Sequence, residues 1–327
     1  MPATTKIIPQ RRIGPEGAQR TVSALCLGAM NFGTTTPRET AFRILDRFVE
    51  AGGTFIDTAD NYNQWAGTGH ESEQLLGDWL RATGNRDQLV LATKCGAKMI
   101  KGDDPNVIGN WEGLGGSAIE AAIRGSLDRL GVERIDLYYA HYDDRTAPLE
   151  ETVTTLGRLA EQGAVGLVGC SNYLAWRLER ARRLADDHGL PRFTVIQSEY
   201  TYLWPTPLAN RPEIAGLELL DYVTEHPDVT LVAYSPLLAG SYGHAERPLP
   251  AGRGYAHPSA YQRLQTLREV AAELDATPNQ VVLAWLLRQE PTPIPLFGAS
   301  SLAQLEEALD ALDLILDDKV VYRLDRG

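Results

Sequence analysis

The stretch GGTFIDTADNYNQWAGTGHESEQLLGDWL, residues 52–80, contains a short apolar strand, a polar loop and the start of a helix, in that order. The run TFID at 54–57 lacks the alternation of a half-exposed strand, which is typical of a strand buried on both faces. Polar and glycine residues follow, and residues 71–83 then show helical spacing of apolar side chains. The stretch therefore predicts a strand–loop–helix unit, with Asp57 and Tyr62 where the strand enters the loop.

This unit recurs along the chain. Further apolar runs fit buried strands at 24–28, 89–94, 135–141, 165–171, 193–198, 230–235 and 292–298. Helical patterns lie at 37–51, 71–83, 117–130, 148–162, 174–188, 213–226, 259–289 and 301–311. A β-hairpin precedes them, with strands at 6–12 and 21–23 around the turn GPEG. Eight such units predict an α/β fold, a (β/α)8 TIM barrel with an N-terminal β-hairpin, whereas a doubly wound sheet usually has about five or six strands.

The composition is that of an ordinary globular chain. Of the 327 residues 43% are hydrophobic and 23% charged, and no linker-like segment divides them, so we predict a single domain over residues 1–327. Acidic residues outnumber basic ones 43 to 31, and the net charge of −12 argues against a broad surface for nucleic acid or anionic membrane. The start MPATTKIIPQRR lacks the apolar run of a signal peptide, and no segment reaches 18 consecutive apolar residues, so we expect a cytoplasmic protein.

The cysteines and histidines indicate neither a disulfide nor a metal site. Cys26, Cys95 and Cys170 are odd in number, far apart, and lie in or beside apolar strands, which favours buried free thiols. The six histidines show no H-x-x-x-H spacing, and the chain has no C-x-x-C motif. We therefore predict that the protein has no structural metal.

Two long polar segments follow predicted strands, at 95–116 and 236–258. Loops after the strands of a barrel form its active-site face, so both segments are candidate lids or cofactor clamps. Surface excursions without a role in binding are the alternative interpretation.

Four residues able to transfer or tune protons lie at the ends of three neighbouring strands. Asp57, Lys94 and His141 end these strands, and Tyr62 lies on the loop just beyond Asp57. All strand C-termini of a barrel point to the same face, so the four side chains are expected to converge. Each residue alone also fits a structural role, such as a turn cap or a buried polar group with satisfied hydrogen bonds.

The residue types predict a specific chemistry. A tyrosine hydroxyl titrates near ~10, and a nearby ammonium group lowers its pKa. Lys94 is predicted to supply that charge, Asp57 to keep Lys94 protonated and oriented, and His141 to position a carbonyl oxygen by a hydrogen bond. The set suits delivery of a proton from Tyr62 to a carbonyl that becomes an alkoxide.

The motifs of the chain resemble those of the aldo-keto reductase superfamily. The similarity runs from ALCLGAMNFG at 24–33 to GASSLAQLEEAL at 298–309. The segments FIDTADNY, GHESEQLLGDWL, LVLATK and DLYYAH resemble those that carry the family's aspartate, tyrosine, lysine and histidine. The resemblance, greatest to the bacterial branch, implies an NAD(P)H-dependent carbonyl reductase in which Tyr62 is the general acid.

The resemblance also implies a site for NADP(H), with NAD(H) as the alternative. Ser171, Asn172 and Gln197 match residues that hold the nicotinamide carboxamide, Tyr234 matches one that stacks on the nicotinamide ring, and segment 235–241 matches one that wraps the pyrophosphate. The complete set implied for the cofactor is Gly28, Ala29, Met30, Asp57, Ser171, Asn172, Gln197, Tyr234, Ser235, Pro236, Leu237, Gly240, Ser241, Gly298, Ser300, Ser301, Gln304 and Glu307.

The segment implied for the adenosine 2′-phosphate departs from the family pattern. Many relatives have arginine or lysine where this chain has Ser301, and asparagine where it has Ala308. Serine hydroxyls, Gln304 and the start of a helix remain as phosphate donors. Arg253, in the second long loop, either supplies charge here or is solvated. We therefore expect NADPH to be preferred over NADH by a smaller margin than in those relatives.

An aromatic set falls on loops of the predicted catalytic face. Trp65, Trp111, Tyr202 and Trp204 are candidates for a substrate pocket, although single aromatic residues more often serve packing. Together with polar residues on the same loops, they favour a small polar or aromatic carbonyl substrate over a long lipid.

Two other functions fit the predicted fold. Similarity to potassium-channel β subunits implies a nucleotide-sensing regulatory protein as one alternative. A phosphate-binding isomerase or lyase is the other, but it leaves the four converging residues without a role. The complete set of four favours the reductase, and the sequence leaves the oligomeric state open.

Overall fold

The structure is a computed structural model that describes residues 6–101, 110–209, 211, 213–244 and 246–327. Its strands are β1 Gln10–Ile13, β2 Arg20–Ser23, β3 Cys26–Gly28, β4 Phe55–Asp57, β5 Val90–Cys95, β6 Ile135–Ala140, β7 Val165–Ser171, β8 Phe193–Glu199, β9 Thr230–Tyr234 and β10 Ile294–Gly298. Strands β3 to β10 form a parallel barrel in chain order, which the pairing of β10 with β3 closes. β1 and β2 pair as an antiparallel hairpin. The predicted (β/α)8 barrel with an N-terminal hairpin is confirmed.

Helices surround this barrel. They are α1 Arg38–Glu50, α2 Glu71–Thr83, α3 Gly116–Leu130, α4 Leu149–Glu161, α5 Ala175–Asp187, α6 Leu217–Glu225, α7 Pro258–Glu273, α8 Pro278–Leu286, α9 Leu302–Asp310 and α10 Asp318–Arg326. The two long polar segments leave the C-terminal ends of β5 and β9. Of these segments, residues 102–109 and 245 lie outside the described residues, as do residues 1–5 at the start of the chain.

The single helix predicted over 259–289 is wrong. Two helices occupy this range, because Thr277 and Gln280 form a capping box that starts α8, with Pro278 in its first turn. The apolar periodicity continues across the break between α7 and α8, so the sequence pattern did not show that one helix ends and another begins there. Helix α10 was not predicted either, although the Asp317 side chain caps it by accepting a hydrogen bond from the Val320 N–H at 2.8 Å.

Side chains of the barrel strands alternate between two apolar layers. Cys26 and Phe55 belong to a cluster inside the barrel, whereas Leu27 and Ile56 belong to the larger layer between barrel and helices. Burial on both sides explains why the strands lack polar alternation in sequence. Ile13 of the hairpin joins the interior cluster, so the hairpin packs on the barrel interior and leaves the opposite, C-terminal mouth for a site.

Candidate active site

Alternation along the strands brings the four predicted residues to the C-terminal mouth. Phe55 points into the barrel, so Asp57, two residues later on β4, points the same way. The same spacing from Ala92 brings Lys94 inward on β5. His141 directly follows β6, and its N–H donates to the Cys95 carbonyl at 3.0 Å.

The Lys94 ammonium group connects the residues of this site. It forms an ion pair with the Asp57 carboxylate, and it donates hydrogen bonds to the Thr58 carbonyl and the Tyr62 hydroxyl, both at 2.8 Å. The Lys94 side chain has no exposed surface. All three N–H donors of the ammonium group are thus used, so the Tyr62 oxygen is fixed beside a positive charge. Thr58, whose carbonyl takes part, was not identified from the sequence.

Burial and charge act in opposite directions on these groups. Burial lowers the pKa of Lys94, but the contacts with Asp57 and Tyr62 outweigh it, and the net pKa is raised. Burial raises the pKa of Tyr62 above its ordinary value, and the opposing effect of Lys94 is smaller. The expected net lowering for Tyr62 is therefore wrong, because the sequence did not reveal the extent of its desolvation. Tyr62 is protonated at neutral pH, as a proton donor has to be.

His141 lies beside Tyr62, with the ring centroids 5.9 Å apart at an interplanar angle of 76°. Burial, and then the charge of Lys94, hold the pKa of His141 well below its ordinary value, so the imidazole is neutral at neutral pH. Its Nδ1 atom is buried and has no hydrogen-bond partner among the described residues. A neutral ring can donate one hydrogen bond to a bound carbonyl.

Two residues implied for the nicotinamide are bonded to this site and to each other. The Asn172 amide donates to the His141 carbonyl at 3.1 Å, and the Tyr234 hydroxyl donates to the Asn172 side-chain oxygen at 2.9 Å. Asn172 has a φ of +63°, a left-handed conformation that asparagine tolerates better than most residues. The amide is therefore oriented at the strand ends next to His141.

Gln197 connects the implied nicotinamide residues to Asp57. Its side-chain amide donates to the Asp57 carboxylate at 2.9 Å, and Ser171 of β7 pairs with Gln197 of β8 in register. The end of β3 lies on the other side of Asp57, where the Ala29 N–H donates to the Asp57 carbonyl at 2.8 Å. The remaining implied residues there are Gly28, which pairs with Asp57 and Gly298, and the exposed Met30.

Segment 235–241 leaves β9 with an unusual backbone. The φ angle is positive at Ser235 (+52°), Leu238 (+45°), Ala239 (+53°) and Gly240 (+84°). Contacts around the segment hold this conformation: the Thr201 hydroxyl donates to the Pro236 carbonyl at 2.6 Å, and the Ser241 hydroxyl donates to the Leu238 carbonyl at 2.8 Å. Left-handed turns of this kind direct backbone N–H groups into concavities that suit anions such as phosphate. Leu237, also implied, is partly buried.

The start of α9 is capped by its own side chains. The Ser301 hydroxyl accepts a hydrogen bond from the Gln304 N–H at 3.3 Å, and the Gln304 side-chain oxygen accepts one from the Ser300 N–H at 2.7 Å. The donors implied for a 2′-phosphate are thus bonded to one another.

The donor and acceptor groups of these segments fit a dinucleotide. Glu307 accepts hydrogen bonds from the Thr277 hydroxyl at 2.7 Å and from the Asn279 amide at 3.2 Å. The Asn279 side-chain oxygen is buried without a partner among the described residues. Two acceptor side chains here suit the amino group of an adenine, and the N–H groups of segment 235–241 suit the phosphates.

The four aromatic residues predicted for a pocket have different environments. Trp65 is 55% exposed, and the Trp111 ring lies 6.0 Å from that of Tyr142, the residue after His141. Tyr202 is fully buried in the core, where its hydroxyl donates to a main-chain carbonyl at 3.0 Å, so its assignment to a pocket is not retained. Trp204 is partly buried and packs on that core. Tyr142 was missed, although its place directly after His141 was a usable signal.

Arg253 does not supply charge to the start of α9 in this structure. It forms an ion pair with Glu199, a fully buried carboxylate at the end of β8. Arg211 donates two further hydrogen bonds to Glu199, at 3.1 and 2.9 Å, and the Tyr255 hydroxyl donates another. This cluster was not identified from the sequence, where its members are up to 56 positions apart.

The described residues contain neither a cluster of metal-binding side chains nor a helix that could span a membrane. Within the described ranges, no group of three or more His, Cys, Asp or Glu side chains is arranged to hold a metal ion. Cys26, Cys95 and Cys170 are buried free thiols, as predicted. No described helix is both long enough and apolar enough to cross a membrane.

Comparison with known proteins agrees with the geometry. The sequence profile described as "Aldo/keto reductase family" matches residues 24–326. Norsolorinic acid reductase stcV of Emericella nidulans is 33% identical over 93% of this chain and 78% of its own. The uncharacterized oxidoreductase YrpG of Bacillus subtilis is 31% identical over 93% of this chain and 91% of its own. Aryl-alcohol dehydrogenase GME11368 of Pestalotiopsis microspora is 29% identical over 97% of this chain and 81% of its own. The chain belongs to the aldo/keto reductase family.

Proposed function

We propose that the protein reduces an aldehyde or ketone to an alcohol, with a reduced nicotinamide cofactor as hydride donor and Tyr62 as proton donor. The observation that carries this proposal is the contact of one buried ammonium group, on Lys94, with both the Asp57 carboxylate and the Tyr62 hydroxyl. A protonated tyrosine beside a fixed cation is suited to give its proton to an oxygen that gains negative charge.

Each residue of the site has a separate task in this mechanism. A reduced nicotinamide cofactor, when bound, would provide the hydride. Tyr62 donates its proton to the carbonyl oxygen, and the Lys94 charge stabilises the tyrosinate that remains. Asp57 and the Thr58 carbonyl hold Lys94 in position. His141, being neutral, directs an N–H toward the same carbonyl oxygen and orients the substrate.

We propose NADP(H) as the cofactor, with a moderate preference over NAD(H). A 2′-phosphate at the start of α9 would be met by Ser300, Ser301, Gln304 and the helix dipole, which contributes about 0.3–1 kcal/mol at an exposed end. Hydrogen bonds to a charged group add about 1.5–3 kcal/mol each. Fluorescence titration with both reduced cofactors measures the preference, and tighter binding of NADH would contradict it.

An aromatic carbonyl is the proposed substrate class. Trp65 and Trp111 offer aromatic surface on the loops of the catalytic mouth, and Trp111 lies against Tyr142 beside His141. Relatives named norsolorinic acid reductase and aryl-alcohol dehydrogenase support the same class. A panel of aryl aldehydes, keto-sugars, quinones and steroids, followed by the absorbance of reduced nicotinamide, tests it. A preference for steroids would contradict it.

Replacement of Tyr62 by phenylalanine tests the mechanism. Tyr62→Phe removes the proton donor but keeps the ring, so carbonyl reduction should fall by about 10²–10⁴-fold while cofactor binding is retained. The matched control is Tyr322→Phe, since Tyr322 is exposed on α10. Near-normal turnover by Tyr62→Phe would remove the assigned role. Nucleotide binding without turnover by the wild-type protein across the panel would favour a nucleotide-sensing regulatory protein.

A further inference from the structure

Two parts of the loop after β5 pair as a short hairpin. Residues 98–100 and 110–112 run antiparallel, with two main-chain hydrogen bonds of 2.7 Å between them. Met99 and Trp111 are bridged at the centre of this pairing. The Trp111 side chain is partly buried, and its ring lies 6.0 Å from that of Tyr142. The position of Trp111 at the catalytic mouth therefore depends on the position of Met99.

The Gln64 side chain connects this hairpin to the loop that carries Tyr62. Its carboxamide oxygen accepts a hydrogen bond from the Met99 N–H at 2.9 Å, and its carboxamide nitrogen donates to the Met99 carbonyl at 3.2 Å. The two bonds reproduce the exchange that a hydrogen-bonded residue makes in an antiparallel strand pair. Asn61 adds another bond, from its side-chain amide to the Ala97 carbonyl at 2.8 Å.

The backbone that carries Gln64 is itself fixed. Asn63 is buried, and its side-chain amide donates to the Phe32 carbonyl at 2.9 Å. The Ala66 N–H donates to the Asn63 carbonyl at 2.9 Å, which closes a turn around Gln64. The Gln64 side chain thus extends from a fixed position two residues beyond Tyr62.

We infer that Gln64 is a positioning residue for aromatic substrates, because through Met99 it fixes Trp111 relative to Tyr62. The inference rests on the proposed function, in which Tyr62 protonates the carbonyl oxygen. A substrate whose carbonyl reaches Tyr62 while its ring lies against Trp111 needs a constant separation of the two side chains, since a displacement of about 1 Å from the reactive geometry is costly. A small aliphatic carbonyl needs only Tyr62.

Steady-state kinetics with naphthaldehyde and propanal test this inference. Gln64→Met keeps the length of the side chain but removes both hydrogen bonds to Met99. The KM for naphthaldehyde should rise about fivefold, whereas the KM for propanal and both kcat values should change little. Gln74→Met is the matched control, because Gln74 is exposed on α2.

A second measurement does not depend on catalysis. Trp111 is one of six tryptophans, so its fluorescence is isolated by comparing each protein with the same protein carrying Trp111→Phe. Gln64→Met should increase the quenching of Trp111 by acrylamide, because the ring is no longer held against Tyr142.

The outcomes separate the inference from the proposed function. Unchanged KM values for both aldehydes, or unchanged quenching of Trp111, would overturn the inference and mean that other contacts, such as that of Lys98 with His70 at 2.8 Å, hold the hairpin. Equal increases of both KM values would overturn it as well, since Gln64 would then act on Tyr62 alone. If the wild-type protein reduced no carbonyl of any class, the proposed function would fail, and the inference would fail with it.

Discussion

At the scale of single residues, Asp60 is a buried carboxyl group close to the candidate active site. It is buried, its N–H donates to the Lys94 carbonyl at 3.2 Å, and both its carboxyl oxygens lack a hydrogen-bond partner among the described residues. Burial holds the pKa of Asp60 well above its ordinary value of 3.8, with Glu112 and Glu73 adding to the shift and Arg129 opposing it. At pH values between the ordinary pKa and this raised pKa, the folded protein therefore retains a proton on Asp60 that the unfolded chain has lost.

This retained proton predicts a loss of stability as the pH rises. The folded pKa exceeds the unfolded one, so the stability that depends on the proton is complete below 3.8 and is lost as the pH rises through the raised pKa. Asp60→Asn keeps the shape of the side chain and should reduce the dependence of unfolding free energy on pH. Urea unfolding at a series of pH values measures it, with the exposed Asp87→Asn as control. Parallel curves for wild type and Asp60→Asn would contradict the assignment.

The positions of the active-site residues were predictable from the sequence, but the directions of their pKa shifts were not. Asp57, Lys94 and His141 follow apolar runs, and a parallel barrel brings such positions together whatever their separation in sequence. Whether burial or the Lys94 charge dominates the pKa of Tyr62 depends on how far the folded chain removes the hydroxyl from water, which the sequence does not show. The hydrogen bond from the Gln197 side chain to Asp57 was not predictable either, because the resemblance implied only a role in cofactor binding for Gln197.

Among the elements, the two helix starts that were missed, those of α8 and α10, both carry side-chain caps. The capping box of Thr277 and Gln280 was readable in the sequence, yet the apolar periodicity of 259–289 suggested one helix. Strands were predicted closely because burial on both faces leaves an uninterrupted apolar run. The left-handed conformation of segment 235–241 had no such signal, since leucine, serine and alanine rarely adopt it.

Ala239→Gly tests the left-handed conformation of this segment. At a φ of +53°, glycine avoids the Cβ penalty, which is roughly 1–2 kcal/mol for other residues. Glycine loses about 0.5–1 kcal/mol through entropy, so the substitution should stabilise the protein by up to about 1.5 kcal/mol. Ala303→Gly on α9, at ordinary helical φ, is the control and should destabilise by about 0.5–1 kcal/mol. Destabilisation by both substitutions in urea unfolding would argue against the conformation.

At the scale of the whole molecule, the Glu199 cluster joins two loops of the catalytic mouth. Arg211 belongs to the loop after β8, whereas Arg253 and Tyr255 belong to the loop after β9, which also carries segment 235–241. Glu199 accepts hydrogen bonds from all three partners while its own side chain has no exposed surface. The charge of one strand-end residue thus holds together the two loops that border the implied cofactor site.

Removal of this charge should destabilise the whole protein. Glu199→Gln leaves two arginines around a neutral amide, and loss of one partner from a buried ion pair costs about 3–5 kcal/mol. We expect the lower end of that range, because the Arg253 side chain is 34% exposed and is partly stabilised by water. Glu213→Gln is the matched control, since Glu213 bonds the same Arg211 at 2.7 Å from a more exposed position and should cost at most about 1 kcal/mol. Urea unfolding of both variants measures the difference, and equal costs would mean that the two loops are held together by other contacts.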